Sequence, residues 1–173
     1  MDKRNISIVI LAAGQGSRMK SNKAKVLHNI CGKPMLYHII KESLKISDDV
    51  SVVVSHQKEK VKDQMSCYFD NINFVEQDAE NFPGTGGAMK NVKPKNQKVL
   101  VLNGDMPLIE ADALSGFVDT QADVIMSIFD LSDPNGYGRV KIENQEVQYI
   151  VEQKDATDEE LKITTVNAGI YAF

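Results

Sequence analysis

Residues 6–19 read ISIVILAAGQGSRM, an apolar run that leads directly into a glycine-containing loop. The run from Ile6 to Ala13 is nearly continuous and rich in β-branched residues, which is typical of a strand buried on both faces of a parallel sheet. Gly14 and Gly16 allow the backbone to turn sharply and to approach a ligand. The stretch therefore predicts the central first strand of an α/β fold, followed by a binding loop.

Working outward from this stretch, helical and strand-like patterns alternate along most of the chain. An amphipathic helix is predicted to begin with Pro34 at its first position and to carry apolar residues as far as Leu44. Further helices are predicted at 57–68 and 110–118, and further strands at 50–55, 72–75, 98–102 and 124–129. Beyond Asp133, three strand-like pieces follow between turn residues. The order predicts a Rossmann-like, mostly parallel mixed sheet with helices on both faces.

Length and composition narrow the class of protein. The 173 residues fit one domain, and 20 Lys and Arg against 24 Asp and Glu argue against duplex nucleic-acid binding. Cys31 and Cys67 form no CxxC pair, so we interpret them as small buried hydrophobic residues in a reducing, cytoplasmic setting. No run approaches the roughly 18 apolar residues of a membrane span, so no membrane partner is expected.

The loop after the first strand is the first candidate site, because ligands of open α/β sheets bind beyond the carboxyl ends of the strands. Successive backbone N–H groups in such a turn can hold phosphate. The loop fits neither a dinucleotide fingerprint, which needs a third glycine in place of Met19, nor a P-loop, which needs Gly-Lys where Met19 and Lys20 stand. Arg18 and Lys25 can offer positive charge to phosphate oxygens.

At this point the residues resemble a known family. LAAGQGSRM at 11–19, followed by KVL at 25–27, looks like the signature loop of nucleotidyltransferases that join a nucleoside triphosphate to a sugar 1-phosphate. The segments that narrow the resemblance are Gln77, GTG at 84–86, NGDMPL at 103–108, GYGR at 136–139, IVEQKDA at 150–156 and NAGI at 167–170. Together they are similar to the uridyltransferase domain of the bacterial bifunctional UDP-N-acetylglucosamine pyrophosphorylase and glucosamine-1-phosphate N-acetyltransferase.

The resemblance spans essentially the whole chain and implies a nucleotide-diphospho-sugar transferase fold. It implies that UTP and N-acetylglucosamine 1-phosphate react to give UDP-N-acetylglucosamine, a cell-wall precursor, and pyrophosphate. The residues that it places around the uracil and ribose are Leu11, Ala12, Ala13, Gly14, Gln77, Gly84 and Thr85. Arg18 and Lys25 would hold the triphosphate and act in catalysis.

The remaining implied contacts lie later in the chain. Asp105, at the end of a buried strand, would bind Mg²⁺, and Asn103 and Gly104 beside it would contact substrate. Gly138, Glu152 and Asn167 would meet the sugar and its N-acetyl group. The resemblance further implies one nucleotidyltransferase domain over residues 1–173, incomplete at its C-terminus. The acetyltransferase β-helix, through which the full-length form would make a homotrimer, would be absent.

Other interpretations stay open. A related enzyme could transfer a cytidylyl or guanylyl group to another acceptor, although the guanylyl type resembles LAGG rather than the LAAG of residues 11–14. A binding module without catalysis is disfavoured by the joint presence of Arg18, Lys25 and Asp105. Gly84 and Thr85 also fit the start of a helix, and Glu152 also fits an exposed strand carboxylate paired with Lys154.

Overall fold

The computed structural model of the protein describes residues 3–14, 16 and 19–173. The chain divides into two compact units, the first comprising Met1–Asp123 with Ala172–Phe173 and the second Val124–Tyr171. The single domain expected from the sequence stays a prediction, and the two units are described in turn.

The first unit alternates strands and helices, as the sequence predicts, and the observed boundaries lie close to the predicted ones. In chain order its elements are β1 (Ile6–Leu11), β2 (Asn29–Ile30), β3 (Lys33–Pro34), α1 (Met35–Ile46), β4 (Asp49–Val54), α2 (Lys58–Ser66), β5 (Asn73–Glu76), α3 (Gly84–Met89), β6 (Lys98–Asn103) and α4 (Ala111–Asp119). A short 3₁₀ turn, Lys25–Leu27, precedes β2.

The strands of this unit form a parallel sheet in the order β5-β4-β1-β6. The predicted central position of β1 is therefore confirmed. Every residue of β4 is buried, and successive side chains point to opposite faces, so both faces of the sheet are covered. Phe173 adds an antiparallel contact at the edge of β6, exchanging both backbone hydrogen bonds with Val99 at 2.7 and 3.1 Å. The sheet is thus mixed but mostly parallel.

Helix α1 covers the sheet through an apolar stripe at helical spacing. Its buried residues are Leu36, Ile39, Ile40, Ser43 and Ile46, and the helix contacts β1, β4 and α4. It begins at Met35 and not at the predicted Pro34, because Pro34 pairs with Asn29 in the β2–β3 hairpin. Proline suits the residue before the helix because no N–H is needed there.

The prediction that both cysteines are buried is wrong, since Cys31 and Cys67 are free and exposed. Cys31 forms the hairpin turn with Gly32, and both residues have positive φ, as a two-residue turn of this kind requires. Cys67 follows the last turn of α2, where its Sγ donates to the carbonyl of Asp63 at 3.3 Å. Turns and helix ends lie at the surface, which outweighs the hydrophobic character of a thiol.

Buried polar groups join the strands at their amino ends. Ser7 Oγ donates to Asp49 Oδ2 at 2.5 Å, and the same carboxylate oxygen accepts from the backbone N–H of Lys95 at 2.8 Å. The backbone N–H of Asn96 donates to Ser7 Oγ at 3.0 Å. This amino-end cluster ties the loop before β6 to β1 and β4.

The second unit contains the later strand-like pieces. Its strands are β7 (Ile125–Asp130), β8 (Arg139–Glu143), β9 (Glu146–Val151) and β10 (Thr165–Ala172, whose last residue belongs to the first unit). Strand β8 pairs antiparallel with β9 and with β10, and β7 also pairs with β10. Asn144 and Gln145, both with positive φ, form the turn between β8 and β9.

Candidate functional site

An open cleft of about 520 Å³ lies where β1, β5 and β6 of the first unit end. This is the edge at which α/β sheets bind ligands. The predicted residues that line the cleft are Leu11, Ala12, Ala13, Gly14, Lys25, Gln77, Gly84, Thr85, Asn103 and Asp105. Gly16, Val26, Ala79, Pro83 and Ala88 also line it. Segments far apart in the chain therefore meet where the sequence predicts a nucleotide site.

The bottom of the cleft is set by the register of β1 and β6, in which Leu11 lies opposite Asn103. The backbone N–H of Gly104 donates to the carbonyl of Leu11 at 2.9 Å. A Cβ at Gly104 would lie 3.1 Å from that carbonyl oxygen and 3.3 Å from the Cβ of Ala12. Gly104 therefore lets the ends of β1 and β6 pack closely against each other.

Lys25 and Asp105 form an ion pair inside the cleft, each side chain about one-third exposed. Buried Val26 and Leu27 anchor the short turn that carries Lys25, and Asp105 follows the end of β6. An ammonium group and a carboxylate thus face each other, a pair that can engage a phosphate oxygen and a cation respectively.

Gly16 lets the loop after β1 pass close to Lys25. It has a φ of +64°, and a Cβ on it would lie 2.7 Å from the Cβ of Lys25. Glycine therefore meets both a conformational and a steric demand here. The predicted role of Arg18 falls outside the described residues.

Asp105 is the carboxylate of the cleft that could contribute to a metal site. Within the ranges 3–14, 16 and 19–173, no group of three or more His, Cys, Asp or Glu side chains is placed to hold a metal. Mg²⁺ is commonly bound by one or two carboxylates, with water and substrate phosphates completing its octahedron. The carboxylate of Asp105 fits an ion of this kind, shared with water and a substrate phosphate.

Gln77 stands at the opposite wall of the cleft, directly after β5. Its backbone N–H donates to the carbonyl of Val54 at 2.9 Å, which fixes its main chain to the end of β4. Its side-chain Nε2 donates to the carbonyls of Phe82 at 2.9 Å and Gly84 at 3.2 Å. The amide nitrogen is thereby held by the loop, and the amide oxygen is the group that can accept a hydrogen bond from a ligand.

The loop that holds Gln77 is itself closed by Asp78. The carbonyl of Asp78 accepts from the backbone N–H of Phe82 at 2.8 Å, and its carboxylate accepts from the side chain and backbone of Asn81 at 2.8 and 3.1 Å. The Asn81 side-chain hydrogen bond, with support from the backbone, lowers the pKa of Asp78 below its usual value. The loop is therefore a hydrogen-bonded turn.

Gly84 and Thr85 begin α3, which confirms the interpretation as a helix start, and they also line the cleft. Their contact with the nucleotide base stays a prediction. Ala88 lies one helical turn later and faces the same side, so helical spacing from Gly84 would have identified it. The carbonyl of Phe82 has no such signal, since every residue carries a backbone carbonyl. Sequence reasoning therefore missed this contact.

In the second unit, the three residues predicted to meet the sugar lie together. The backbone N–H of Asn167 donates to the carbonyl of Gly138 at 3.1 Å, and a Cβ on Gly138 would lie 3.3 Å from Glu152 Oε1. The side chain of Asn167 donates to the hydroxyl of Tyr171 at 2.5 Å and accepts from the backbone of Gly169 at 2.9 Å.

The alternative interpretation of Glu152, a strand carboxylate paired with Lys154, is not observed. Lys154 instead pairs with Asp155, at 3.9 Å. Glu152 follows the end of β9 and precedes the 3₁₀ turn Gln153–Asp155, so it is not a strand residue.

No helix in the described part of the chain combines the length and apolar character needed to cross a membrane.

Known proteins resemble this chain in sequence and in fold. The profile of the MobA-like NTP transferase domain matches residues 8–136. The bifunctional protein GlmU of Sulfurimonas denitrificans is 70% identical over 173 residues, which is 100% of this chain and 40% of that protein. The chain spans about 40% of the length of the curated relatives it matches.

Two solved structures have the same fold at low sequence identity. HddC from Yersinia pseudotuberculosis gives a TM-score of 0.72 at 24% identity, covering 96% of this chain and 76% of that one. A UDP-glucose pyrophosphorylase complexed with UDP-glucose gives 0.74 at 18% identity, covering 100% and 76%. The predicted fold class, a mostly parallel mixed sheet of the nucleotide-diphospho-sugar transferase type, is confirmed. The chain belongs to the family of MobA-like NTP transferase domains.

Proposed function

We propose that this chain transfers a uridylyl group from UTP to N-acetylglucosamine 1-phosphate, giving UDP-N-acetylglucosamine and pyrophosphate. The observation that carries the proposal is the cleft at the strand ends, where Lys25 and Asp105 face each other opposite the Gln77 amide. The 70% identity to a GlmU protein supports the choice of UTP and of the sugar phosphate.

The reaction needs positioning and charge neutralisation more than a general acid or base. A phosphate oxygen of the sugar phosphate attacks the α-phosphorus of UTP in line. A new P–O bond forms, the bond between the α-phosphorus and its bridging oxygen breaks, and pyrophosphate leaves with the electron pair. Lys25 neutralises negative charge on the triphosphate, and Arg18 is assigned the same task from the sequence.

Asp105 is the residue that would hold Mg²⁺, which, when bound, neutralises charge on phosphate oxygens. Asp105 is paired with Lys25 in the structure. If Asp105 held a cation, the Lys25 ammonium group would leave this ion pair and could engage a phosphate oxygen. Occupation of the two groups by metal and nucleotide is expected to be cooperative for this reason.

Gly138, Glu152 and Asn167 are proposed to contact the sugar and its N-acetyl group. Their proximity within the second unit supports one shared task. We further propose that the whole protein acts in the cytoplasm in synthesis of cell-wall precursors and is a homotrimer. These last three proposals rest on the family resemblance.

A substrate panel tests the proposed function. UTP, CTP and GTP are each combined with N-acetylglucosamine 1-phosphate and with glucose 1-phosphate, and pyrophosphate release is followed with Mg²⁺ and after its removal by EDTA. We expect the pair UTP and N-acetylglucosamine 1-phosphate to exceed the others by about 100-fold, because a site that hydrogen-bonds the base edge rejects analogues that leave its groups unpaired. Equal rates with CTP or GTP would instead support cytidylyl or guanylyl transfer.

A pair of variants tests the role of Asp105. Asp105→Asn is expected to lower Mg²⁺-dependent UTP binding, measured by calorimetry, by about tenfold or more, because a neutral amide is a weaker ligand for a hard cation. Asp48→Asn removes an exposed carboxylate next to the amino end of β4 and is the matched control. Equal Mg²⁺ dependence in both variants would exclude Asp105 as the metal ligand.

A further inference from the structure

Two adjacent glycines of α3 have very different surroundings. A Cβ on Gly86 would meet no atom within 4 Å, whereas a Cβ on Gly87 would overlap the carbonyl group of Phe82. Neither residue needs the left-handed backbone that favours glycine, because both lie inside the helix. The requirement for glycine at 87 is therefore one of space: the loop before α3 rests its main chain directly on the helix.

The carbonyl that rests on Gly87 is also an acceptor for the cleft residue Gln77. Gln77 Nε2 donates to Phe82 O at 2.9 Å and to Gly84 O at 3.2 Å. Lys90 directly follows α3, and its ammonium group lies over the Phe82 ring, so the end of the helix also contacts the side chain of Phe82. If the Phe82 carbonyl were pushed away from α3, the amide of Gln77 would lose one of its two acceptors.

We propose that Gly87 is a positioning residue for base selection, acting through the Phe82 carbonyl on the orientation of the Gln77 amide. With Nε2 held by two carbonyls, Gln77 offers Oε1 to a donor on the base edge. Uracil has such a donor at its ring N–H, and the corresponding ring nitrogen of neutral cytosine is an acceptor. This inference rests on the proposed function, since it concerns the choice between UTP and CTP.

The consequence is a difference between two conservative variants. Gly87→Ala forces the Phe82 carbonyl to move, whereas Gly86→Ala adds the same methyl group to the same helix in open space. We expect Gly87→Ala to weaken UTP binding by about tenfold and to reduce the preference for UTP over CTP, as loss of a fixed hydrogen-bond acceptor does. Binding of inorganic tripolyphosphate with Mg²⁺ should stay within about twofold, because Lys25 and Asp105 are untouched.

Calorimetry with UTP, CTP and tripolyphosphate on the full chain separates these expectations. Gly86→Ala should match the wild type for all three ligands. Adding Gly87→Ala to Gln77→Leu should cause no further loss of UTP affinity, because Gly87 acts through Gln77. Unchanged UTP affinity in Gly87→Ala, or an additive loss in the double variant, would overturn the proposal.

A second measurement does not depend on which nucleotide binds. The side-chain amide protons of Gln77, held by two carbonyls, should exchange with solvent more slowly than those of exposed Gln121 in the wild type and in Gly86→Ala. In Gly87→Ala they should exchange faster than in the wild type, because one of the two acceptors is lost. Fast exchange in the wild type would overturn the inference even if Gly87→Ala fails to fold. If the wild type shows no preference for UTP over CTP, the proposed function is overturned. The exchange measurement on Gln77 still tests whether Gly87 positions this side chain.

Discussion

Gly16 is the residue whose missing side chain decides where Lys25 can lie. Alanine there must adopt a φ of +64° and place its Cβ 2.7 Å from that of Lys25. We expect Gly16→Ala to lower the free energy of unfolding by roughly 1–2 kcal/mol, since the backbone is strained and the neighbour must move. UTP affinity should fall as well, because Lys25 is displaced. Urea unfolding and calorimetry measure the two effects.

Gly14→Ala is the matched control for stability, because a Cβ on Gly14 would meet no atom within 4 Å. Its unfolding midpoint in urea should equal or exceed that of the wild type. The same loss of stability in both variants would show that the loop does not depend on Gly16 in particular.

For individual residues, the sequence predicted which of them line the cleft but not the contacts that fix their side chains. Chemistry that belongs to a side chain, such as the charges of Lys25 and Asp105, can be read from residue type and spacing. The Gln77 contacts are made to backbone carbonyls, and the Lys25–Asp105 pair joins residues whose proximity depends on the register of β1 and β6. Neither of these has a local sequence pattern.

At the scale of elements, Glu76 joins the end of β5 to α2. Its carboxylate accepts from Lys58 and Lys62, each at 2.7 Å, and these hydrogen bonds, that from Lys58 first, lower the pKa of Glu76 to about 2. A pKa that is lower in the folded state adds stability above the ordinary value of 4.5, and that contribution is lost as the pH falls toward 2. The stability difference between wild type and Glu76→Gln should therefore shrink between pH 5 and pH 2.

Urea unfolding at a series of pH values measures this difference. Repeating the series in about 1 M salt should reduce the gap at pH 6, since exposed ion pairs are screened. A difference that stays the same at every pH would mean that the Glu76 ion pairs do not stabilise the junction of β5 and α2.

The amino-end cluster gives a prediction about β1 and β4. Asp49→Ala leaves the Ser7 hydroxyl and the Lys95 backbone N–H without their acceptor in a buried place. We expect a loss of about 1–3 kcal/mol in the free energy of unfolding. UTP affinity should be unchanged, because the cleft lies at the opposite ends of these strands. A loss of UTP affinity without a loss of stability would contradict this assignment.

Long periodic elements and the short strand β5 were predicted well, whereas the β2–β3 hairpin was not predicted and α3 was given only as an alternative interpretation of Gly84 and Thr85. The stripe of α1 and the apolar runs of β1, β4 and β6 reflect burial that repeats along each element. Helix α3 is a six-residue segment with three glycines, so its intrinsic helix propensity is low and packing decides its conformation. The β2–β3 hairpin has two residues in each strand, too few for any alternation to show.

For the molecule as a whole, burial differs sharply between strands. Every residue of β4 is buried, whereas β9 is exposed along almost its whole length, with Tyr149 45% exposed. Hydrogen exchange should therefore be slowest in β1, β4 and β6 and about tenfold or more faster in β9, because local opening is easier where little apolar surface is buried. Amide exchange followed by mass spectrometry measures this. Equal protection of β9 and β4 would contradict the prediction.

The sequence also indicated that the chain changes character near its last third. The alternation of helices and strands gives way to hairpins after Asp133, and the second unit begins at Val124. The sequence pattern changes later than the unit boundary, because β7 follows α4 and so continues the alternation of helices and strands. No turn residues mark β7 as the start of a new unit. Membership of one unit or the other depends on long-range contacts, which composition does not encode.

The two walls of the cleft are built differently. The wall with Gln77, Gly84 and Thr85 is one continuous stretch, residues 77–88, whereas Lys25 and Asp105 are supplied by loops after two central strands. Under the proposed function, a chimera that receives this stretch from a relative with another nucleotide preference should change its base choice and keep its metal dependence. New nucleotide specificities in such a scaffold can then arise by exchange of this one short segment, while the sheet and the loops that carry Lys25 and Asp105 are inherited unchanged.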